Sequence, residues 1–215
     1  MELSSAALVA NGQISKHDPL ISKIKTYPYL IAVDGGLNSC YMLGLVPNFI
    51  IGDLDSVQIE LISKFETVPR KTFPKDKDKT DLELAIEHAF SLGAQKITVF
   101  GALGGRTDHT IFNVHLLSRY PNKLFFESAE EKLFTIGKST TLNCHVGQTI
   151  SLLPLNGPVT GITTHGLKWE LSDATLDKHF MGISNVALQE KVSIDAAEGD
   201  LLCVVNLSNL PSLNK

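Results

Sequence analysis

The chain has 215 residues, 43% of them hydrophobic and 20% charged, with a formal net charge of −4. That is enough apolar material for one large domain or two small ones with real cores. The acidic balance, with no Lys/Arg block, argues against a nucleic-acid-binding surface, and no apolar run approaches the roughly 20 residues of a bilayer-spanning helix.

In chain order, Ala6 to Ala10 is a short apolar run that ends at Asn11-Gly12, and Tyr29 to Val33 is another that ends at Asp34-Gly35-Gly36. Phe49 to Ile51 leads into Gly52-Asp53. A helix is predicted from Thr80, whose hydroxyl caps it while Glu83 reaches back three residues later. Leu82, Ala85, Ile86, Ala89 and Phe90 form its apolar stripe, and Gly93 is the stop. Ile97 to Phe100 then leads into Gly101, and Leu124 to Glu127 closes the first sheet. Short apolar strands alternating with amphipathic helices predict a mostly parallel, Rossmann-like α/β/α sheet covered on both faces. Such sheets bind ligands beyond the carboxyl ends of their strands. All four strand ends before Gly101 carry polar or glycine-rich tips, so that edge is the predicted active edge.

After about Lys123 the texture changes. Leu133 to Ile136, Thr149 to Leu153, Val192 to Ile194 and Leu201 to Val205 read as strands, with turns at Gly137, Asn156-Gly157-Pro158, Gly166 and Glu198-Gly199-Asp200. This predicts a smaller all-β sandwich or barrel, and a division into residues 1–127 and 128–215. Asn206 to Lys215 reads as a frayed polar tail. Cys40, Cys144 and Cys203 are odd in number, far apart and without metal-ligand spacing, so reduced, buried thiols are expected. The N-terminus lacks the basic-then-apolar pattern of a signal peptide, and a cytoplasmic protein is expected.

Acidic side chains carry the chemistry. On an extended Asp53-Leu54-Asp55 segment, residues two apart point the same way, so both carboxylates can reach one ion. A lone D-x-D is more often a solvated turn. The preceding apolar strand, the close-packing Gly52 and the second tip at Asp34-Gly35-Gly36 tip the balance towards a functional use. Converging carboxylates repel, and a divalent cation holding a polyphosphate relieves that repulsion most simply. Gly101, Gly104 and Gly105 allow positive φ and close approach of backbone to a ligand. Arg106 suits paired hydrogen bonds to phosphate, and Asp108 suits a helix cap, although a plain glycine-rich turn explains the same residues. His109 beside it is either a proton carrier or a packing residue. Gly137-Lys138-Ser139-Thr140 imitates the end of a P-loop, but Lys132 stands where its first glycine belongs, and the segment reads as a hairpin turn.

Taken together, Asp34-Gly35-Gly36-x-Asn38, Pro47 through Ile51-Gly52-Asp53-Leu54-Asp55-Ser56, Lys77-Asp78-x-Thr80-Asp81 and Gly104-Gly105-Arg106-x-Asp108-His109 with Asn113 resemble the ordered motifs of the thiamine pyrophosphokinase family. Ser151-Leu152-Leu153-Pro154, Gly161 to Leu171 and Gly182-Ile183-Ser184-Asn185 are similar to its β domain. Trp169 stands where bacterial relatives often carry tyrosine. The resemblance spans nearly the whole chain. It implies transfer of a pyrophosphoryl group from ATP to the hydroxyl of thiamine, with Mg²⁺ held by Asp53, Asp55 and Asp81, which are also the catalytic acids. It assigns Asp34, Gly35, Gly36, Asn38, Lys77, Thr80 and Arg106 to ATP, and Asp108, Trp169, Ser184 and Asn185 to thiamine. It also implies a homodimer with sites shared between subunits, while charge and hydropathy point to no nucleic-acid or membrane partner.

Two other readings remain from the residues alone. Asp53-x-Asp55-x-Val57 after a strand fits the nucleophile motif of haloacid-dehalogenase-type phosphatases, although the later lysine and paired acids of that family are not evident. A non-catalytic nucleotide sensor is the other.

Overall fold

The computed structural model describes residues 3–15 and 19–208, and most of the predicted polar tail lies outside them. The chain forms two compact units, Met1–Asn113 with Phe125–Ser128, and Val114–Leu124 with Ala129–Lys215.

The first unit alternates strand and helix: β1 (Ser5–Val9), α1 (Leu20–Ile24), β2 (Leu30–Val33), α2 (Gly36–Met42), β3 (Phe49–Gly52), α3 (Ile59–Lys64), β4 (Arg70–Thr72), α4 (Asp81–Ser91) and β5 (Lys96–Phe100). Next come α5 (Thr107–Leu116), a 3₁₀ turn and β6 (Leu124–Glu127). The strands lie in the order β6-β5-β1-β2-β3-β4, and β1 pairs in parallel with both β2 and β5. Sequence order therefore reverses direction at β1, the switch point where such sheets leave a crevice. All four residues of β2 are buried, as expected of a strand with both faces covered. Ala7, Val9, Ala32 and Ile50 pack in one cluster with Ile24, Leu37, Cys40 and Leu61 from the helices.

Local chemistry sets the helix ends. The Thr80 hydroxyl accepts a hydrogen bond from the Glu83 amide at 3.2 Å, and α4 ends before Gly93, whose φ of +89° no β-branched residue would tolerate. Of the stripe the spacing predicts, Leu82, Ala85, Ile86 and Ala89 are buried and Phe90 is half-buried.

The second unit is all-β apart from its first residues: β7 (Glu131–Ile136), β8 (Ser139–Asn143), β9 (Thr149–Pro154), β10 (Val159–His165), β11 (Ala174–Leu176), β12 (Gly182–Val186), β13 (Lys191–Asp195) and β14 (Leu201–Asn206). They form two antiparallel arrays, β12-β9-β14-β7 and β11-β10-β13-β8. Gly137-Lys138 is not the hairpin turn its sequence suggests. β7 pairs with β14 while β8 pairs with β13, so these two residues carry the chain from one sheet to the other. Turn chemistry specifies a reversal, but hydrogen bonding elsewhere in the sheets decides which strands become neighbours.

Candidate functional site

The carboxyl ends of β1, β2, β3 and β5, with the start of α4 and the turn before α5, enclose a cleft of about 610 Å³ in the first unit. Asp34, Asp53 and Asp81 meet there. One carboxylate oxygen from each lies within 4.8 Å of the others. They come from the tip of β2, the tip of β3 and the first residue of α4, so three elements converge on one point.

Backbone geometry enforces the meeting. The Asp34 amide donates to Ile51 O at 2.7 Å, which binds the two strand tips together. A Cβ on Gly52 would lie 2.9 Å from Asp34 Cα, so only glycine allows this approach. Asp34 (φ 46°) and Leu54 (φ 62°) both take left-handed backbone. Each such residue stores about 1–3 kcal/mol of strain, of the kind that clusters at functional sites.

The lysine loop supplies the counter-charge. Lys77 Nζ stands 3.1 Å from Asp81 Oδ1 and 3.4 Å from Asp53 Oδ2, with each of these side chains less than a fifth exposed. Burial pushes the Lys77 pKa down, but hydrogen bonding and charge from Asp81 and Asp53 outweigh it and leave the ammonium more firmly protonated than a free lysine. For Asp81, burial raises the pKa, Lys77 opposes, and repulsion from Asp53 and Asp34 adds to the rise. Asp34 Oδ1 is buried without a hydrogen-bond partner. Three hard oxygen donors, with Asp34 Oδ1 unpartnered and Asp81 Oδ1 met only by the Lys77 ammonium, form a set that fits a divalent cation.

Asp55 stands apart. The left-handed Leu54 breaks the extended geometry that would have aligned Asp53 and Asp55. Asp55 instead pairs with Lys75 at 2.8 Å on the exposed surface, and that hydrogen bond, with help from Ser56, lowers its pKa. Arg106 is exposed, and its guanidinium grips Asp108 through Nε at 3.1 Å and Nη2 at 2.6 Å. Asp108 lies inside the first turn of α5 rather than before it, accepts from the His109 amide, and is held at a pKa of about 2 chiefly by Arg106. Gly104 (φ 79°) and Gly105 (φ 74°) adopt the expected positive φ with no protein atom near their Cβ positions, which leaves that wall of the cleft open.

Thr80 lines the cleft as well as capping α4. Asn38 and the buried Gly35 and Gly36 are not among its lining residues. Asn38 donates to Ser56 O at 2.8 Å and accepts from the Gln58 amide at 3.0 Å. Asn113 of the Gly104-Gly105 motif donates to Ala102 O at 2.8 Å. Asn11, Ser56, Lys75 and Asp78 line the cleft as well, although the sequence assigns none of them a site role. The Asn11-Gly12 strand tip carries the signal for the first of these, and Lys77-Asp78-x-Thr80-Asp81 that for the lysine loop.

In the second unit, Asn185 is buried and engaged. Its Oδ1 accepts from the amides of Trp169 and Val186, and its Nδ2 donates to Trp169 O at 2.7 Å. The Trp169 ring is 56% exposed, with Lys168 Nζ 4.6 Å from its centroid. Ser184 is exposed, takes φ 59°, and donates its amide to Ser151 Oγ. Trp169, Ser184 and Asn185 thus occupy one neighbourhood of the second unit, and Asp108 belongs to the first.

Comparison with known proteins supplies the context. Residues 21–126 match the family described as "Thiamin pyrophosphokinase, catalytic domain", and residues 139–201 match "Thiamin pyrophosphokinase, vitamin B1 binding domain". Thiamine pyrophosphokinase 1 of Arabidopsis thaliana is 27% identical over 94% of this chain and 86% of its own length. Thiamine pyrophosphokinase of Bacillus subtilis is 24% identical over 92% and 96%. The crystal structure titled as the Bacillus subtilis enzyme superimposes with a TM-score of 0.84 at 22% identity, covering 95% of this chain and 100% of that one. The yeast structure gives 0.80 at 19% identity, with coverages of 96% and 87%.

Proposed function

The chain belongs to the thiamine pyrophosphokinase family, and from that premise we propose that it is a thiamine diphosphokinase, transferring the pyrophosphoryl group of ATP to the hydroxyl of thiamine to give thiamine diphosphate and AMP. One observation within the molecule carries the reading. The Asp34–Asp53–Asp81 cluster, with Lys77 beside it, sits at the switch point of the unit that matches the family's catalytic domain. The comparisons give no support to a phosphatase or to a non-catalytic sensor.

The hydroxyl oxygen attacks the β-phosphorus of ATP, its proton passing to Asp81 or a neighbouring carboxylate, and the bond from that phosphorus to the oxygen leaving with AMP breaks. Such transfers depend on positioning and charge neutralisation more than on covalent help from the protein. Asp34, Asp53 and Asp81 would hold a divalent cation; carboxylate oxygens suit a hard ion, and we take it to be Mg²⁺ because the family resemblance implies it. When bound, it neutralises phosphate charge. Asp55 would join these acids once Lys75 releases it. Lys77 and Arg106 bring fixed positive charge to the phosphates, Arg106 by exchanging Asp108 for a phosphate with the same two-pronged geometry. The amides and hydroxyl at Thr80 and the open Gly104-Gly105 turn add neutral hydrogen bonding.

Thiamine is cationic and aromatic, so Trp169, with Ser184 nearby, suits it better than a further charge would. The reading includes a homodimer whose β units complete each other's sites, a boundary near residue 127 between catalytic and thiamine-binding parts, and a cytoplasmic setting. The exposed Trp169, Phe180 and Ile183 support a dimer contact on the second unit. Three free, buried cysteines support a reducing compartment. Among the described residues no helix is long and apolar enough to cross a membrane.

The test is AMP formation from ATP and Mg²⁺ with and without thiamine. AMP that requires thiamine is expected. ATP binding without turnover, or release of free phosphate from simple monoesters instead, would overturn the proposal.

A further inference from the structure

The two oxygen-rich tips that make the acid cluster belong to adjacent strands, and their relative position must hold to a fraction of an ångström for three carboxylates to share one ion. Pairing of β2 with β3 fixes the strands, but its last paired residues are Val33 and Ile51, and the last backbone bond between the tips runs from the Asp34 amide to Ile51 O. Beyond Gly52, which still pairs with Thr72 of β4, the chain carrying Asp53 and Asp55 leaves the sheet. It turns through the left-handed Leu54, and it becomes regular again only at Ile59. Leu54 and Val57 pack against the core and anchor the apolar side of this loop. Among its backbone groups, Ser56 O and the Gln58 amide are met by one side chain, Asn38.

Asn38 lies in the first turn of α2, the helix that begins two residues after Asp34. The Asn38 amide donates to Gly35 O, and the Leu37 amide to Asp34 O, so the side chain is rigidly tied to the Asp34 tip. Past the Asp34–Ile51 bond, one carboxamide thus connects the segment bearing Asp34 to the loop that follows Asp53 and Asp55. Its donor and acceptor are both used by the protein, and it does not line the cleft.

Resting on the proposed function, we propose that Asn38 is a positioning residue for the metal-binding acids, acting as a latch between the β2 and β3 tips, and is not a ligand of ATP. An amide suits the task because it offers one donor edge and one acceptor edge in a fixed plane, matched to a carbonyl and an N–H two residues apart. An aspartate keeps the acceptor for Gln58 but faces the Ser56 carbonyl with a second oxygen. Alanine loses both contacts.

The experiment uses the full chain and four proteins: wild type, Asn38→Ala, Asn38→Asp and Gln58→Pro. Gln58 has φ −63°, which proline shares, so the last change deletes the N–H that Asn38 accepts and leaves Asn38 itself intact. Three quantities are measured: the Kd for Mn²⁺ by electron paramagnetic resonance in the presence of ATP, the half-saturating Mg²⁺ concentration for AMP formation, and ATP binding in EDTA. Both Asn38 variants should weaken Mn²⁺ binding and raise the Mg²⁺ requirement about tenfold or more, the usual scale for losing a group that orients metal ligands. Gln58→Pro should move both in the same direction by less. ATP affinity in EDTA and KM for thiamine should stay within twofold of wild type. Asn38 variants that lose ATP affinity in EDTA while keeping normal Mn²⁺ binding would show a nucleotide ligand and overturn the latch. Wild-type metal dependence in Gln58→Pro would overturn it as well, whatever the Asn38 variants do. Failure of the underlying reading is separate: it appears as no thiamine-dependent AMP from the wild-type protein.

Discussion

In the first unit three carboxylates crowd together at the strand tips with Lys77 against two of them, and Asp34 Oδ1 accepts nothing. In the second unit the backbone of Trp169 is satisfied, because Asn185 pairs with both its amide and its carbonyl. One region stores repulsion that a ligand can relieve. The other uses a completed hydrogen-bond network to fix the backbone that carries an exposed aromatic side chain. The difference separates two kinds of polar residue: those whose lone pairs remain open bind, and those already paired with the backbone position.

The largest expected effect tests the charged half of that contrast. Asp53→Asn should lower thiamine-dependent AMP formation at saturating Mg²⁺ by more than about 10²-fold, the scale on which losing one preorganised electrostatic group acts. An unchanged rate would remove Asp53 from the site. Asp55→Asn, which starts outside the cluster, should cost about tenfold or more if Asp55 joins the cation during turnover. Mixing Asp55→Asn chains with Ser184→Ala chains should restore part of the activity if subunits share sites, and a fully active monomer in sedimentation would exclude sharing.

The second region should fail differently. Asn185→Ala strands two amides and a carbonyl, so it should cost about 1–3 kcal/mol of stability. For a chain of this size that lowers Tm by roughly 2–4 °C per kcal/mol, measurable by calorimetry. KM for thiamine should rise while KM for ATP holds. A variant with wild-type Tm would mean that the network does not support the loop.

Arg106→Lys sharpens the comparison within the cleft. Lysine cannot reproduce the two-pronged grip that Asp108 now receives, so activity should fall several-fold more than ATP affinity does. Equal kinetics would leave Arg106 a turn residue.

The smallest effect concerns charge away from the cleft. His88 stacks on Phe49 at 4.5 Å, its Nε2 is buried without a partner, and burial, then Lys71, lower its pKa. The neutral form is favoured on folding, so the unfolded chain binds more protons and stability falls as pH drops below the ordinary histidine range. His88→Phe should flatten the fall in Tm between about pH 6.5 and pH 5. An unaltered slope would assign the acid sensitivity to other groups.

Much of the first unit was legible because its signals are local. The apolar runs before Asn11, Asp34, Asp53 and Gly101 are strands, and Thr80 caps α4 as its side chain and spacing require. β4 (Arg70–Thr72) was not legible, because a three-residue edge strand with exposed lysine and threonine has no periodicity to read. In the second unit β10, β11 and β12 escaped notice for a related reason. Their burial alternates irregularly, and register shifts interrupt the pairing of β10 with β11 and of β12 with β9.

The sequence by itself determined the order of strand tips, the acids and glycines on them, and the family to which their arrangement belongs, because each of these follows from residue type and short-range spacing. Tertiary structure alone decided which acids meet. Asp34 joined Asp53 and Asp81 because parallel pairing of β2 with β3 sets their tips side by side, and the left-handed turn at Leu54 sent Asp55 to Lys75. It also decided that Asn38 and Asn185 face backbone rather than open space. A side chain's partner across the fold depends on the path of residues far away in sequence, and no local pattern encodes that path.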